Sequence, residues 1–600
     1  MERCVTISGT GGFSPIKESL PQHLEHLLNS QIRAAIPALV FAVAIAAADG
    51  LAQHISAVVG ELSAPAGVAP FARALLIALP AAVLFYGIHR LLGRLEESSS
   101  TRPGREKSSK EDYRAKSRRW ENLLAALIPF LLWSVLFAHF WPIASMNDTE
   151  WILKDPWGAS IQHPLAYGLL LRAVVDLFTY IGGSLLVGVV AAALLQMLAW
   201  AGIMALMVDT LRLLGVDYRV RAAFIAYGAL CPLIANYAFA LVKDSPFMLA
   251  IATTGAILVR IWSTRGKALR RPLFLFIALW VLLTLAVMRN NGLLVLIVLT
   301  PLIIFWAKKA RIHAAGLGVI AIVLALIPGQ LSAHFVGSPR YVESVAIPLQ
   351  IVGHVVTYDR ECLPAAEVEY FSSIIPFDTW VEVREPGSVD STKYAQGFSE
   401  GYLEDTRGEF LSHVGAVVRA CPASSLQGWL AHTSAYWRLD PPVVGMTGQS
   451  VFTSAVTNYP SNRDQLIAGW AQNGVVNESL LPAPARNIAT DLWTLLIHLI
   501  PGPGFWLWVA IFLAALFAVR GRKEWIPLLS PTFLVWGTLL VASPATFPFR
   551  YVAFVMLTLP FAAAILLGTS QVRRSASHSE EPATSQVTHT IPDYSAALHP

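Results

Sequence analysis

The chain has 600 residues, of which 55% are hydrophobic and only 14% are charged, with a net charge of +5 and a mean hydropathy of +0.54. Soluble proteins carry about 25% charged residues, so this composition excludes a soluble protein, and it also excludes the disordered, collagen-like and nucleic-acid-binding classes. A helix needs about 20 mostly apolar residues to cross a bilayer, so the length allows a dozen crossings and one extramembrane domain. The composition therefore predicts a polytopic membrane protein.

Twelve apolar runs bounded by charged residues predict the transmembrane helices. Residues 1–33 contain Lys17, Glu18, Pro21 and Glu25 and no apolar core of a cleavable signal, so we expect the first span to act as the insertion signal. Residues 165–180 are interpreted as an interfacial helix. The predicted spans are 34–51, 70–90, 121–143, 181–207, 222–242, 247–263, 273–288, 292–307, 314–332, 505–519, 526–542 and 550–568.

The loops between these spans alternate in their content of Lys and Arg. One set, with the C-terminal tail, carries 25 such residues, whereas the short loops of the opposite set carry five. The positive-inside rule then predicts twelve crossings with both termini in the cytoplasm. The predicted segments are a cytoplasmic N-terminus (1–33), a transmembrane hairpin (34–93), a basic disordered loop (94–120), a transmembrane core (121–333), an extracytoplasmic domain (334–490), C-terminal transmembrane helices (491–568) and a disordered cytoplasmic tail (569–600).

The long loop 334–490 has the composition of a folded domain. It carries 9 basic and 16 acidic residues and contains four tryptophans that can build a core. Cys362 and Cys421 are its only cysteines, and outside the cytoplasm they can form a disulfide bond or remain two unpaired thiols. The predicted fold is thus an all-α polytopic membrane bundle of about 12 transmembrane helices, with one mixed extracytoplasmic domain between the ninth and tenth spans.

Polar residues in the short outer loops lie where spans meet the outer surface. Each one has an ordinary structural alternative: a basic residue can snorkel, Asp148 can be a helix N-cap, Asp244 can mark a helix start, and His163 can be a satisfied loop residue. Together they predict one pocket at the outer face, because ionisable groups at this depth usually face a cavity or a partner. The residues concerned are Asp148, Glu150, His163, Lys243, Asp244, Arg289, Asn290, Asn291, Arg340, Gln350, Arg550 and Tyr551.

This pattern suits transfer of a sugar from a polyprenyl-phosphate donor to an acceptor hydroxyl. The acceptor hydroxyl must lose a proton to a carboxylate base, and the leaving lipid phosphate requires Arg or Lys donors. We expect Asp148 to be the base, supported by Glu150 or His163. Arg289 and Arg550 are expected to bind the phosphate.

The remaining residues receive supporting roles in this interpretation. Lys243 and Arg340 assist in phosphate binding, and Asp244 orients one of the arginines. Further support is expected from Asn290, Asn291, Tyr551 and Gln350. Trp429, Tyr436 and Trp437 are candidate stacking surfaces for the sugar rings of a glycan, lipid or protein acceptor; alternatively they belong to the core or to an interfacial belt.

The arrangement resembles the GT-C class of integral membrane glycosyltransferases over residues 120–570. The resemblance depends on the acidic residues of Asn147-Asp148-Thr149-Glu150 just after a span, followed by Gln162-His163-Pro164, Lys243-Asp244-Ser245-Pro246, Arg289-Asn290-Asn291-Gly292, Ile347-Pro348-Leu349-Gln350 and Arg550-Tyr551. More narrowly, the chain is similar to a poorly characterised bacterial branch of that class. The resemblance implies a bacterial plasma-membrane protein, a catalytic carboxylate at Asp148, inverting transfer and a role in cell-envelope glycan assembly. Metal-dependent members use Asp-x-Asp, whereas this chain has Asp148-x-Glu150, so a divalent metal stays an open alternative to no cofactor.

Two other classes remain as alternatives. A lipid-linked polysaccharide polymerase or ligase would also have about twelve spans and one large outer loop, but it would depend on Arg and His within that loop. A secondary transporter or flippase would place charge at mid-membrane and would contain inverted repeats and broken helices. No internal repeat is evident in the sequence.

Overall fold

A computed structural model describes residues 35–52, 70–100, 111–142, 147–337, 340–439, 475, 479–498, 501–543 and 549–568. Within these ranges the regular structure is helical and no strand occurs; the β-type pairing there is an isolated bridge between Glu385 and Ser388. The prediction of a mixed extracytoplasmic domain was therefore wrong for its described part, which folds as short helices.

The described helices follow one another with short connections, several of which contain 3₁₀ turns. In chain order they are α1 (Ala35–Ala52), α2 (Pro70–Ser100), α3 (Glu111–His139), α4 (Asn147–Lys154), α5 (Leu165–Gly182), α6 (Leu185–Leu213), α7 (Tyr218–Leu230), α8 (Pro232–Phe239), α9 (Asp244–Ser263), α10 (Pro272–Val287), α11 (Gly292–Trp306), α12 (Arg311–Phe335), α13 (Ala346–Tyr358), α14 (Ala365–Ile374), α15 (Phe377–Val383), α16 (Asp390–Lys393), α17 (Glu400–Asp405), α18 (Arg407–Ala420), α19 (Pro422–Thr433), α20 (Ala483–His498), α21 (Pro503–Val519), α22 (Ser530–Ala542) and α23 (Val555–Gly568).

Eight helices of the described chain are long and apolar enough to cross a membrane, or nine if the bent pair α7–α8 is one span. Seven of the eight coincide with predicted spans, and the bent pair covers the predicted span 222–242. The eighth is α5, which we expected to lie at the interface. Four other predicted spans are helices of 14–17 residues, namely α10, α11, α21 and α23. The described part of the chain is therefore an all-helical bundle with several helices that are able to span a membrane, and the count of twelve crossings stays a prediction.

The basic loop expected to be disordered is helical in its described parts. Helix α2 continues to Ser100 and α3 begins at Glu111. Arg118 donates two hydrogen bonds of 3.1 Å to Asp209 on α6. Charged residues that find such partners can extend a helix beyond its apolar stretch, which the composition of the loop alone does not reveal.

The described residues form two separate hydrophobic cores. The larger one joins the bundle helices, and the smaller one lies among buried residues between Val342 and Cys421. Cys421 forms a disulfide bond with Cys362, with the Cα atoms 5.8 Å apart. This second core supports the predicted domain as a folded unit of its own.

Candidate active site at the start of helix α9

The connection between α8 and α9 depends on a broken helix. Helices α7 and α8 meet at an angle of 62°, at Pro232, which has no amide hydrogen to continue the helix. The side-chain amide of Gln196 on α6 donates to the carbonyls of residues 237, 238 and 240, at 3.1, 3.2 and 2.8 Å. Because a helix end in apolar surroundings needs such donors, Gln196 stabilises the non-helical backbone that leads into α9.

Lys243 precedes α9 and contacts His163, which follows the short helix α4. The Lys243 ammonium lies 2.5 Å from the buried His163 Nδ1. An ammonium can only donate, so Nδ1 is the acceptor in this pair. Trp151 of α4 packs its ring edge-on against the His163 ring, with centroids 5.3 Å apart. These contacts join the loop after α4 to the start of α9.

Helix α4 is hydrogen-bonded to the connection between α8 and α9. The buried Thr149 hydroxyl donates to the carbonyl of Leu241 at 2.8 Å. Asp148 and Glu150 flank Thr149 in α4, so their backbone lies beside the start of α9. The side chains of both residues are outside the described part of the structure, and their predicted catalytic roles stay predictions.

Asp244, the first residue of α9, forms an ion pair with Arg289, which lies between α10 and α11. The hydrogen bond runs from Arg289 Nη1 to Asp244 Oδ1. The Asp244 side chain is 1% exposed and that of Arg289 is 12% exposed. The structure thus places Asp244 in contact with Arg289, and the role of Asp244 in orienting this arginine stays a prediction.

Arg289 and Arg550 both lie over the ring of Tyr551. Their guanidinium carbons are 4.1 and 5.3 Å from the ring centroid, respectively. These two distances together limit the separation of the guanidinium carbons to about 9.4 Å. The attraction between a cation and an aromatic ring helps to hold both charges at one place. We call Asp244, Arg289, Arg550 and Tyr551 the Tyr551 cluster.

Two fully buried tyrosines border the Tyr551 cluster. Tyr237 of α8 interacts electrostatically with Asp244, Arg289 and Arg550. Tyr436 interacts with both arginines, and its hydroxyl lies 2.9 Å from the Ser543 hydroxyl, just after α22. Ser543 in turn precedes Arg550 in the chain, so Tyr436 fixes the end of the helix that leads towards the cluster.

The aromatic residues proposed to stack on acceptor sugars have packing contacts. Trp429 donates to the carbonyl of Leu540 at 2.9 Å, and the carbonyl of Trp437 accepts from Trp508 at 2.9 Å. Tyr436 is completely buried. This geometry favours the alternative that these residues belong to the core and attach the end of the domain to α21 and α22.

Arg340 is engaged elsewhere. Its guanidinium makes a two-pronged pair with Glu400 of α17, at 2.6 and 2.5 Å. The Arg340 side chain lowers the pKa of Glu400, since it stabilises the carboxylate. The backbone amide of Arg340 also donates to the carbonyl of Ile161 at 3.2 Å. Arg340 therefore links the domain to the loop after α4, and its predicted part in phosphate binding stays a prediction.

The other supporting residues separate into two groups. Asn291 donates to Thr538 of α22 at 2.8 Å, which ties the end of α10 to α22 beside Arg289. Asn290 is exposed. Gln350 is buried in the domain, where its amide donates to the carbonyl of Ser388. Asn290 and Asn291 are the two residues that follow Arg289 of the Tyr551 cluster, whereas Gln350 supports the domain fold.

Two buried histidines lie where the domain meets α22. Burial and the nearby charge of Arg384 lower the pKa of His354 to about 4. Burial likewise lowers the pKa of His432 to about 4, although its hydrogen bond to the Ser543 carbonyl, 2.8 Å long, acts in the opposite direction. Both rings are therefore neutral near pH 7.

Metal binding finds no support in the described residues, which contain no group of three or more His, Cys, Asp or Glu side chains able to hold an ion. The Asp148-x-Glu150 pair is outside that search, because its side chains are not described. The divalent metal that this pair suggested therefore stays an open alternative.

Two residues of the site escape prediction from the sequence. Gln196 is a single amide within an apolar span, and that isolation is the only signal the sequence offers for it. Tyr237 lies inside the predicted fifth span, where a tyrosine is unremarkable until the helix break at Pro232 places it beside the arginines.

Comparison with known proteins identifies a family but no activity. A family model described as a family of unknown function, DUF6020, matches residues 155–583, which is more than half of the chain. The matched range includes His163, Lys243 and the whole Tyr551 cluster, and it begins just after α4. No curated protein and no solved structure matches the chain. The chain belongs to the DUF6020 family of unknown function.

Proposed function

We propose that the protein is a membrane glycosyltransferase of the GT-C type that transfers a sugar from a polyprenyl-phosphate donor to an acceptor hydroxyl at the predicted outer face. The observation that carries this proposal is the placement of Arg289 and Arg550 over one ring, Tyr551, within about 9.4 Å of each other. Two guanidinium groups from distant segments that meet at a helix end suit a shared anionic ligand.

The local charge favours a phosphate on this cluster. Asp244 compensates one of the two arginines, and Lys243 adds a further cation next to it in the chain. Two guanidinium groups held close together suit a phosphate group, which an Arg can bind through two parallel hydrogen bonds. The cluster lies at the ends of predicted membrane-spanning helices. A phosphate that is attached to a polyprenyl tail would be located at that depth in the membrane.

The proposed reaction is a displacement at the anomeric carbon of the donor sugar. The acceptor oxygen forms a new bond to that carbon while the bond from the carbon to the phosphate oxygen breaks, and the lipid phosphate leaves with the electron pair. Asp148 accepts the acceptor proton. The attachment of α4 to Leu241 through Thr149 supports this role, because it holds the backbone of Asp148 close to the connection that leads into Asp244 of the Tyr551 cluster.

Arginine-to-lysine exchange tests the donor site. Purified protein in nanodiscs should bind undecaprenyl phosphate, and both Arg289→Lys and Arg550→Lys should weaken binding by about tenfold or more despite the retained charge, because a lysine lacks the planar fork. Arg172→Lys is the matched control, since Arg172 pairs with Asp176 within α5. Normal binding by both cluster variants would mean that these arginines are only anchors and would refute the proposal.

A transporter is the second candidate, and the 62° break between α7 and α8 is the observation that favours it. Broken helices line substrate sites in many secondary transporters. Proteoliposomes that contain a fluorescent polyprenyl-phosphate sugar distinguish the two functions. Movement of the intact lipid between leaflets indicates transport, whereas loss of the sugar to an acceptor indicates transfer.

A further inference from the structure

Two buried polar atoms beside the arginines have no hydrogen-bond partner within the described chain. They are Oδ2 of Asp244 and the hydroxyl oxygen of Tyr237. Asp244 is 1% exposed and Tyr237 is not exposed at all. Oδ1 of Asp244 is already occupied by Arg289, so the two oxygens of this carboxylate have different surroundings.

The backbone that carries both residues is held firmly. The Ser245 hydroxyl donates to the carbonyl of Tyr237 at 2.5 Å, and the Trp200 indole donates to the Ser245 hydroxyl at 3.0 Å. Gln196 binds the same carbonyl of Tyr237 from α6. Tyr237 and Asp244 are therefore fixed at the two ends of one short connection, and they interact electrostatically with each other.

Unmet polar atoms at such a place need an explanation. A buried donor or acceptor without a partner destabilises the folded protein, and native proteins contain few of them. Phenylalanine in place of Tyr237 would fill the same space without this cost. The two atoms are thus suited to groups that a bound ligand supplies.

The chemistry of the two atoms defines the ligand group. A carboxylate oxygen accepts hydrogen bonds only, whereas a phenol both donates and accepts. The negative charge of Asp244 repels a phosphate, so the group next to Oδ2 must donate a hydrogen bond and must carry no negative charge. Neighbouring hydroxyl groups of a sugar ring satisfy both atoms.

We propose that Asp244 Oδ2 and the Tyr237 hydroxyl bind hydroxyl groups of the donor sugar while Arg289 and Arg550 bind its phosphate. This inference rests on the proposed function and adds the subsite that recognises the donor sugar. Asp244 then links the two halves of the site, since one of its oxygens holds Arg289 and the other receives the sugar.

Two probes separate the sugar subsite from the phosphate subsite. Farnesyl phosphate presents the phosphate alone, and a panel of farnesyl-phosphate hexoses and pentoses presents the same phosphate with a sugar. The affinity of each probe is measured on the purified protein in nanodiscs. The sugar gain is the ratio of the affinity for a farnesyl-phosphate sugar to the affinity for farnesyl phosphate. We expect at least one sugar to bind more tightly than the bare phosphate.

The Tyr237→Phe variant then tests the subsite without a folding penalty, because the lost hydroxyl has no hydrogen-bond partner among the described residues. We expect affinity for the preferred sugar probe to fall about 3- to 10-fold, while affinity for farnesyl phosphate stays the same. Asp244→Asn should also reduce the sugar gain. Tyr227→Phe is the control, since Tyr227 lies on α7 and its hydroxyl faces Met556.

The possible outcomes distinguish the two proposals. An unchanged sugar gain in Tyr237→Phe, with normal binding of farnesyl phosphate, overturns the sugar subsite and leaves the phosphate site standing; the two atoms then bind water. An equal loss for both probes also overturns it, because Tyr237 would then support the phosphate site. If the wild-type protein binds neither probe, the proposed function fails, and the subsite fails with it.

Discussion

Arg289 donates a hydrogen bond to the buried carboxylate of Asp244, so that two residues 45 positions apart neutralise each other where the start of α9 meets the end of α10. Removing one member of a buried pair leaves the other charge uncompensated, which costs about 3–5 kcal/mol. We therefore predict that Asp244→Ala lowers the thermal unfolding midpoint markedly, and that Arg289→Met in the same chain restores much of the loss without restoring phosphate binding.

The matched control for this cycle is Asp176→Ala. Asp176 pairs with Arg172 on α5, and both side chains are about half exposed. An exposed pair contributes at most about 1 kcal/mol, so this variant should unfold close to the wild-type temperature. If Asp244→Ala also unfolded close to the wild-type temperature, the pair of Asp244 and Arg289 would not stabilise the fold. The proposed role of Asp244 in orienting Arg289 would then be rejected.

The meeting of Arg289 and Arg550 could be anticipated from the sequence, because both follow or precede apolar runs on the same predicted side of the membrane. Arg340 shares that placement, yet it pairs with Glu400, 60 residues later. Sidedness places a charge at one surface, but the choice of partner depends on which helices pack together. Apolar runs and charge asymmetry carry no information about that packing.

Side-chain environment was harder to predict than position along the chain. Trp429 and Tyr436 are of the residue types that bind sugar rings, so the sequence suggests a sugar-binding surface. In the structure the second core ends near Cys421, and the segment that follows it packs on α22. The role of Gln196 could not be predicted from the sequence either, because it depends on α8 ending beside this side chain. A helix break of this kind depends on tertiary contacts that satisfy the freed carbonyls.

Gln196 provides the next prediction. Gln196→Met keeps the length of the side chain but removes the donor to three carbonyls of the α8–α9 connection. Leaving such groups unmet costs about 1–3 kcal/mol, so we expect a lower unfolding midpoint and weaker binding of undecaprenyl phosphate. Gln196→Glu should be more harmful still, because a carboxylate would face the carbonyls. Equal behaviour of Met, Glu and wild type would rule out this supporting role.

The buried histidines predict a pH dependence of stability. The pKa of both His354 and His432 is about 4 in the folded protein, against a usual value of 6.5. As the pH falls from 6.5 to 4, the unfolded chain therefore binds protons that the folded protein does not, and stability decreases. The loss amounts to at most about 3 kcal/mol for each histidine. Thermal unfolding of the purified protein across this range measures it.

His432→Gln isolates one contribution to this dependence. A glutamine can still donate to the carbonyl of Ser543 but does not titrate, so the decline in stability between pH 6.5 and 4 should become shallower. His334→Gln, at an exposed position on α12, serves as the control. A slope identical to the wild type in the His432 variant would contradict the assignment.

Asp148 provides the decisive prediction for catalysis. Asp148→Asn keeps the size of the side chain and removes the basic carboxylate, so transfer should fall by about 10²–10⁴-fold while expression and undecaprenyl phosphate binding persist. The readout is restoration of the cell-envelope glycan that is lost when the gene is deleted, followed by turnover in isolated membranes. Asp155→Asn is the matched control, because Asp155 only accepts a hydrogen bond from the Gly158 amide, 2.9 Å long, in the same loop. Near-normal turnover of purified Asp148→Asn would remove Asp148 as the base and would direct the search to Glu150.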